Sequence, residues 1–595
     1  MKGRWTALLA ALAVATVLAP PARPAAAQDT TLVQPDSLAP ADSAAADTVV
    51  VERVPIAPVD VPLGPLPPGS RYTFTRDSLF WTDAITLSDL LRRVPGVYIA
   101  RGGFLKQPEY LLYGGRGAAG IEVYWDGFRL LPVGQDSIYF DPSQVTLSFL
   151  RRVDVEVRPG GLRVYLVSER HESTAERSVI RVMSGAFSTA QYAGVFQKRW
   201  ASGFGLTLAG DFTSSEGGPE LDRGDQTLDL WAKVEWLPGE NVGVAYQMRR
   251  AAVERDEVAS ESGGVTPFRD GNRTEAWFTL FAGSPGSRLG AHAEFGLGSA
   301  AWSDSILGDQ RIHQAYARLR WARPFVTVEA EGRMADRRIT ESVEARVDLV
   351  PIRGVVFSSY GGFRGYEARP TARFAGAALG LYLGPLFAVG ELATDERVAA
   401  PAMLADSAQR LDDAAARVGV DLPFVQGRVS LVRRGAFVAP PPLAYPDIAV
   451  FDTSRVATYV VAEASLEPID GVRVHGTYSH PRTGLAPDLQ PPKHGRAAVT
   501  YRSKFWRTFP SGAFDFELRY GIEFWSGGTA GFDASSNPIA LPGATFHEIF
   551  LQIQLVDFRI WWNLRNARNT QAQYVPGYIY PRNAQTFGVK WVFSN

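Results

Sequence analysis

From about Ser178 to its end the sequence alternates apolar and polar residues at every second position, segment after segment. In Leu228–Trp236, the residues Leu228, Leu230, Ala232, Val234 and Trp236 share one parity, while Asp229, Lys233 and Glu235 share the other. Phe514 to Phe524 repeats the pattern: Phe514, Phe516, Leu518, Tyr520, Ile522 and Phe524 oppose Asp515, Glu517, Arg519 and Glu523. Successive side chains of a strand point to opposite faces, so each segment needs one apolar and one wet surface. A soluble sandwich also meets that need, by sharing its apolar face with a second sheet. Number and length decide between them. There are about 22 such segments of roughly 9–11 residues, the length that crosses a bilayer as a tilted strand. At about 19 residues per strand plus connection, most connections are short turns. A barrel of that size encloses a lumen that has to be filled. Tryptophans toward segment ends (Trp200, Trp236, Trp321, Trp525 and Trp591) are expected to form an interfacial girdle.

The N-terminus fits export to such a place. Lys2 and Arg4 precede an apolar run from about Ala7 to Ala19, and Ala25-Ala26-Ala27 offers a small-residue cleavage site. The run is too short to span a bilayer, so residues 1–27 read as a signal peptide. Residues 28–79 follow as an arm, rich in Pro, Ala, Asp and Ser as far as about Gly69, which cannot bury enough apolar surface to fold. The chain has no cysteine, which excludes disulfides, thiolate metal sites and cysteine nucleophiles. Its net charge of −1 provides no field to attract nucleic acid. We find no P-loop, no G-x-S-x-G elbow and no H-E-x-x-H helix, so no enzyme activity and no cofactor are expected. The closest histidines, His475 and His480, would point to opposite faces of a strand, which argues against a shared metal.

One stretch ahead of the alternating region has a different grammar. Leu87, Leu90, Leu91 and Val94 recur at helical spacing, Thr86 and Asp89 make a capping box, and Pro95-Gly96 stops the helix. Strand-like runs then follow at Val97–Ile99, Tyr110–Tyr113 and Ile121–Tyr124, and Asp126-Gly127 suits a tight hairpin turn. Gly115 to Gly120 matches the dinucleotide pattern G-x-G-x-x-G, but an alternating run and a turn follow it instead of the helix a pyrophosphate would need.

The sequences Leu90-Leu91-Arg92-Arg93-Val94-Pro95-Gly96-Val97, Tyr113-Gly114-Gly115-Arg116-Gly117 and Val123-Tyr124-Trp125-Asp126-Gly127 resemble the plug domain of TonB-dependent outer-membrane receptors. Leu150 to Gly160 resembles a later plug strand, whereas residues 162–177 depart from the family pattern. Ala486–Pro491, Asn563–Asn566, Tyr574–Tyr578 and Pro581-Arg582 resemble motifs of the C-terminal barrel, the latter three its last hairpin. The resemblance implies a mainly β fold: a transmembrane antiparallel β-barrel of about 22 strands at 178–595, with a small α/β plug domain at 80–177 in its lumen.

The same resemblance implies partners. Asp47, Thr48, Val49, Val50 and Val51 look like the TonB box, the segment through which these receptors meet a TonB-type energy-transducing protein by adding a strand to its sheet. The family's C-terminal aromatic signal for the barrel-assembly machinery corresponds to Phe593, and outer-membrane lipid would surround the barrel. By analogy the loop at Arg101 to Gln107 faces outward, making Phe104, Lys106 and Gln107 candidates for contact with a small-molecule ligand. The implied function is import across the outer membrane of a scarce solute: siderophore, cobalamin or oligosaccharide. The alternative is a non-transporting barrel with a vestigial plug and a structural or partner-docking role.

Overall fold

The structure, a computed structural model, describes residues 66–594 apart from 106, 115, 135–137, 219–220, 240, 267, 284–288, 305–307, 368–370 and 402–407. The export signal, the pentad Asp47–Val51 and Lys106 lie outside the described residues.

The plug is built on a five-stranded sheet. Its strands are β1 (Arg71–Phe74), β4 (Ile121–Trp125), β5 (Phe128–Arg129), β6 (Leu150–Arg158) and β7 (Gly161–Ser168), in the order β1-β6-β7-β4-β5. Only β4 and β7 run parallel. The hairpin from β4 to β5 turns on Asp126 and Gly127, both at positive φ (42° and 90°), as the two-residue turn requires. The segment after Gly160, where the family resemblance fades, supplies β7, paired on both sides inside the sheet.

Two short helices, α1 (Arg76–Phe80) and α2 (Leu87–Leu91), and a separate hairpin of β2 (Val97–Arg101) and β3 (Glu109–Tyr113) complete the plug. The capping box forms as the sequence predicts: Thr86 accepts from the backbone N–H of Asp89, and the Asp89 carboxylate accepts from that of Thr86. Leu87, Leu90 and Leu91 are fully buried, in one apolar cluster with Val123, Trp125 and Val153 from the sheet. Barrel residues Trp231, Trp277 and Tyr316 belong to the same cluster, so the plug core continues into the wall around it. The glycine pattern at 115–120 becomes a short 3-10 turn at Gly117–Gly120 that leads into β4.

Around the plug runs a closed barrel of 22 antiparallel strands, from β8 (Arg177–Gly185) to the last strand, Ala584–Ser594. These two pair with each other, from Thr586 opposite Gly185 to Ser594 opposite Arg177, leaving no open edge. The predicted parity holds along the wall. Leu228, Leu230 and Trp236 face outward, whereas Asp229, Lys233 and Glu235 are buried in the lumen. Long connections gather at one end of the barrel, at 256–268, 435–456, 484–493, 526–543 and 566–583. Several connections at the other end span only two to five residues. By that asymmetry the long-loop end is extracellular and the other periplasmic.

Two expectations need correction. Trp200, Trp236, Trp321 and Trp591 lie exposed on the outer surface, but Trp525 is buried in the lumen, stacked on Phe546 and Tyr574. It shares parity with Glu523, and that parity fixes its face. The motif at Tyr574–Tyr578 is not part of the barrel wall. It sits in a small hairpin, Ala572–Val575 with Tyr578–Tyr580, that folds in over the plug from the last extracellular loop.

Candidate functional site

Three features of the lumen could bear on function: an ionic grip on helix α2, a cover over the plug apex, and an arginine-lined cavity beside it.

The grip grows from α2 because its capping residue is itself charged. Asp89 Oδ1 accepts from Arg101 at 2.8 Å and lies 3.0 Å from the guanidinium of Arg565 of the barrel. Just past the helix, Arg92 donates two bonds to Glu548 of the barrel, at 2.7 and 2.9 Å, and lies 3.6 Å from Glu523. Asp83 meets Arg93 of the plug and, at 2.7 Å, Arg519 of the wall. Asp83, Asp89, Arg92, Arg101, Glu523 and Arg565 are buried and Arg93, Arg519 and Glu548 partly so, so the buried charges depend on their partners. Asp83 shows the balance: burial pushes its carboxyl up, but Arg519, Arg93, Arg92 and Arg565 together hold it well below the usual range. Asp89 and Glu109 share Arg101, which contacts Glu109 at 2.6 Å. Burial, reinforced by Asp89 and Asp141, pushes Glu109 up to about 7 despite that arginine.

The apex of the plug is covered. Phe104 is buried edge-on against Phe187 and Tyr580, and Gln107 donates to Asp225 of the wall at 2.5 Å. The Tyr445 hydroxyl, from the loop 435–456, donates to the carbonyl of Pro108 at 2.5 Å. A Cβ on Gly102 would come within 2.7 Å of the Tyr445 ring, so the loop and the plug apex fit without space for a side chain there. Thr266, from the loop 256–268, bonds both Ala444 and Tyr578, which ties three extracellular loops together. Phe104 and Gln107 thus lie beneath this cover.

Beside the cover, on the wall between strands Ile339–Leu349 and Leu386–Val398, a solvent-open cavity of ≈ 70 Å³ remains. Its plug side presents Ala118, Ala119, Glu122, Arg129 and Phe140; its wall side presents Arg338, Arg364, Tyr366 and Arg397. Glu122 on β4 is its one carboxylate. It accepts from Arg163 at 2.9 Å and has Arg129, Arg364 and Arg397 at 3.5, 3.9 and 3.9 Å. Arg338 stands at φ +67° in a tight extracellular turn and donates inward to the carbonyl of Pro132. The wall arginines Arg338, Arg364 and Arg397 are about thirty residues apart in sequence. Motif reading misses them; lumenal parity near the tops of successive strands would have been the signal. Among the described residues no group of His, Asp or Glu is arranged to hold a metal ion. His475 turns toward Glu463 at 3.4 Å, and His480 lies against the Tyr478 ring.

A small sheet domain bolted inside a closed 22-stranded barrel with an apolar outer face defines the class: a plugged outer-membrane β-barrel. Residues 67–163 match the sequence profile of the TonB-dependent Receptor Plug Domain, so this part of the chain is similar to the plugs of that family. Solved structures share the fold. A mutant of the ferric enterobactin receptor PfeA from Pseudomonas aeruginosa superposes with a TM-score of 0.69 at 10% identity, over 89% of this chain and 98% of that one. The siderophore receptor PirA from Acinetobacter baumannii gives 0.66 at 10%, over 89% and 100%. BauA, the ferric preacinetobactin receptor of the same organism, gives 0.61 at 13%, over 88% and 96%.

Proposed function

We propose that the protein imports a scarce solute across the outer membrane, with energy supplied by a TonB-type partner. The observation that carries this reading is the way the plug is mounted. It closes the lumen, it is gripped through α2 by buried ion pairs, and its first strand, β1, lies at the sheet edge next to the N-terminal arm. A pull on that arm would reach β1 before the core of the sheet. In this reading residues 1–27 are removed on export, the arm with Asp47–Val51 as its handle runs from residue 28 to the start of β1 at Arg71, and the plug follows to residue 176. The expected limits at 79/80 and 177/178 shift because β1 and α1 pack in the plug and Arg177 opens barrel strand β8. Phe593, on the last strand, is the cue for the barrel-assembly machinery, and lipid meets the outward apolar face. Solute occupancy at the extracellular end shifts the arm toward its exposed state, a population shift.

The cavity under Arg338, Arg364 and Arg397 favours an anionic solute, and so the siderophore class over cobalamin or oligosaccharide. The siderophore receptors that share the fold support the same choice. Phe104, Lys106 and Gln107 would join the site once the apical cover opens.

The cover itself favours a second reading, a non-transporting barrel whose plug is vestigial. One experiment separates the two. Deleting Asp47–Val51 should leave solute binding to cells intact and abolish energy-dependent uptake; uptake at the wild-type rate would defeat the importer reading. A growth screen of that deletion on different iron, cobalt and glycan sources identifies the solute.

A further inference from the structure

At the seam where the barrel closes, three basic side chains stand in a row. Arg559 is opposite Lys590 across one strand pair, and Lys590 is opposite Arg181 across the next. All three face the lumen, where like charges directly opposite one another repel. Many lumenal arginines are matched with acids, as Arg249 is with Asp229 and Glu275. Here, among the described residues, none of the three has a carboxylate within ion-pair distance. Arg181 Nε and Arg559 Nε are buried without a hydrogen-bond partner. Arg559 donates only to the carbonyl of Thr82, at 3.1 Å. Aromatic faces lie close: Lys590 is 4.4 Å from the Phe80 ring centre and Arg181 is 5.0 Å from that of Trp561. Ring faces attract cations but do not neutralise them.

The row borders a cavity of ≈ 60 Å³, room for one small ion, between α1, the plug segment Leu147–Leu150, the first two barrel strands and the last. Arg181 and Lys590 line it, together with Arg76 and Arg177. Its one carboxylate, Glu169, is already engaged, at 3.3 Å from Arg76 and 3.8 Å from Arg177. The Arg76 side chain is 44% exposed, so the cavity opens to solvent on the periplasmic side. Lipid cannot reach it through the closed wall, which leaves solutes of the periplasm.

We propose that this cavity is a binding site for a small multivalent oxyanion, of the phosphate or polycarboxylate type, held by Arg181 and Lys590 with Arg559 behind them. Neither the import reading nor the arginine cavity near the plug apex is needed for it. An anion there touches the first and last barrel strands and lies beneath α1, so its occupancy fastens the N-terminal end of the plug to the barrel seam.

The test uses the full chain in detergent micelles, with inorganic phosphate as the probe and chloride at matched ionic strength as the reference. Binding is read by 31P line broadening and by the thermal midpoint. Phosphate should bind saturably and raise the midpoint, and Arg181→Gln or Lys590→Gln should weaken binding at least tenfold. Lys590→Arg and the lipid-facing control Arg250→Gln should bind as the wild type does. A second readout has the opposite sign. In chloride, Lys590→Gln should be more stable than wild type, because it relieves the like-charge row; in saturating phosphate the order should reverse. No saturable phosphate effect on the wild type would mean a merely hydrated cavity and would overturn the proposal. Wild-type binding by both Gln variants would overturn it equally.

Discussion

Arg92 sits between plug and wall with acids of both around it: Glu548 and Glu523 from the barrel and, at 3.8 Å, Asp83 from the plug. Removing it takes from Glu548 its one hydrogen-bonded arginine and leaves both carboxylates to Arg496, 3.8 Å from each, and Glu523 also to His494. Breaking a buried ion pair from one side costs about 3–5 kcal/mol, and these remaining partners put the loss toward the lower end. Arg92→Ala should therefore loosen the plug without opening the barrel. Hydrogen exchange would show faster exchange in α2 and β2 while strands such as Phe514–Trp525 stay protected; equal loosening of both would place Arg92 in the barrel's own stability. Glu109 gives a prediction in pH. Its folded value, about 7, lies above its ordinary 4.5, so between those pH values the folded protein keeps a proton that the unfolded chain has released. That contribution to stability is full below 4.5 and is lost as pH rises toward 7, by about 3 kcal/mol across the interval. Glu109→Gln should flatten this slope in denaturation midpoints taken at pH 5 and pH 8, and an unchanged slope would reassign the proton.

At the scale of elements, the plug depends on close backbone contact where β4 and β7 run parallel. A Cβ on Gly161 would stand 2.1 Å from the carbonyl oxygen of Gly120, and a backbone atom cannot step aside as a flexible side chain can. Gly161→Ala should cost about 1–3 kcal/mol; the check is loss of plug protection in hydrogen exchange with an intact barrel. Elements like these were legible in the sequence to differing degrees. The capping box of α2, the Asp126-Gly127 turn and the outward face of Leu228–Trp236 are local, and local rules place them. Trp525 departs from the interfacial girdle because parity outweighs position along the strand: Glu523 two residues earlier marks its face as lumenal. The covered apex and the arginine cavity could not be read at all. Tyr445 and Pro108, or Arg129 and Arg397, meet only after the barrel closes, and no short-range pattern encodes that meeting.

For the whole molecule the question is what keeps a lumen of this size from leaking. Barrels with fewer strands fill their interior with wall side chains, whereas one of 22 strands leaves room for a separate domain. Here the filling is shared. Trp231, Trp277 and Tyr316 reach in from the wall to the plug core, and Asp229 and Glu275 hold Arg249 against the carbonyl of Gln144. The wall's own hydrogen bonds run from strand to strand around the closed ring, with Thr586 to Ser594 joined to β8. They do not depend on the plug. Deleting residues 66–168 should therefore leave a barrel that still assembles but conducts. In planar bilayers the full chain should be closed, and the plug-less chain should form large, weakly selective pores. Arg92→Ala should lie between them, closed at rest and opening under mild denaturant, because it weakens the grip without removing the filling. A plug-less chain that assembles yet stays closed would mean that the extracellular loops 256–268, 435–456 and 566–583 seal the barrel by themselves, and the cover over the apex would then be the barrier.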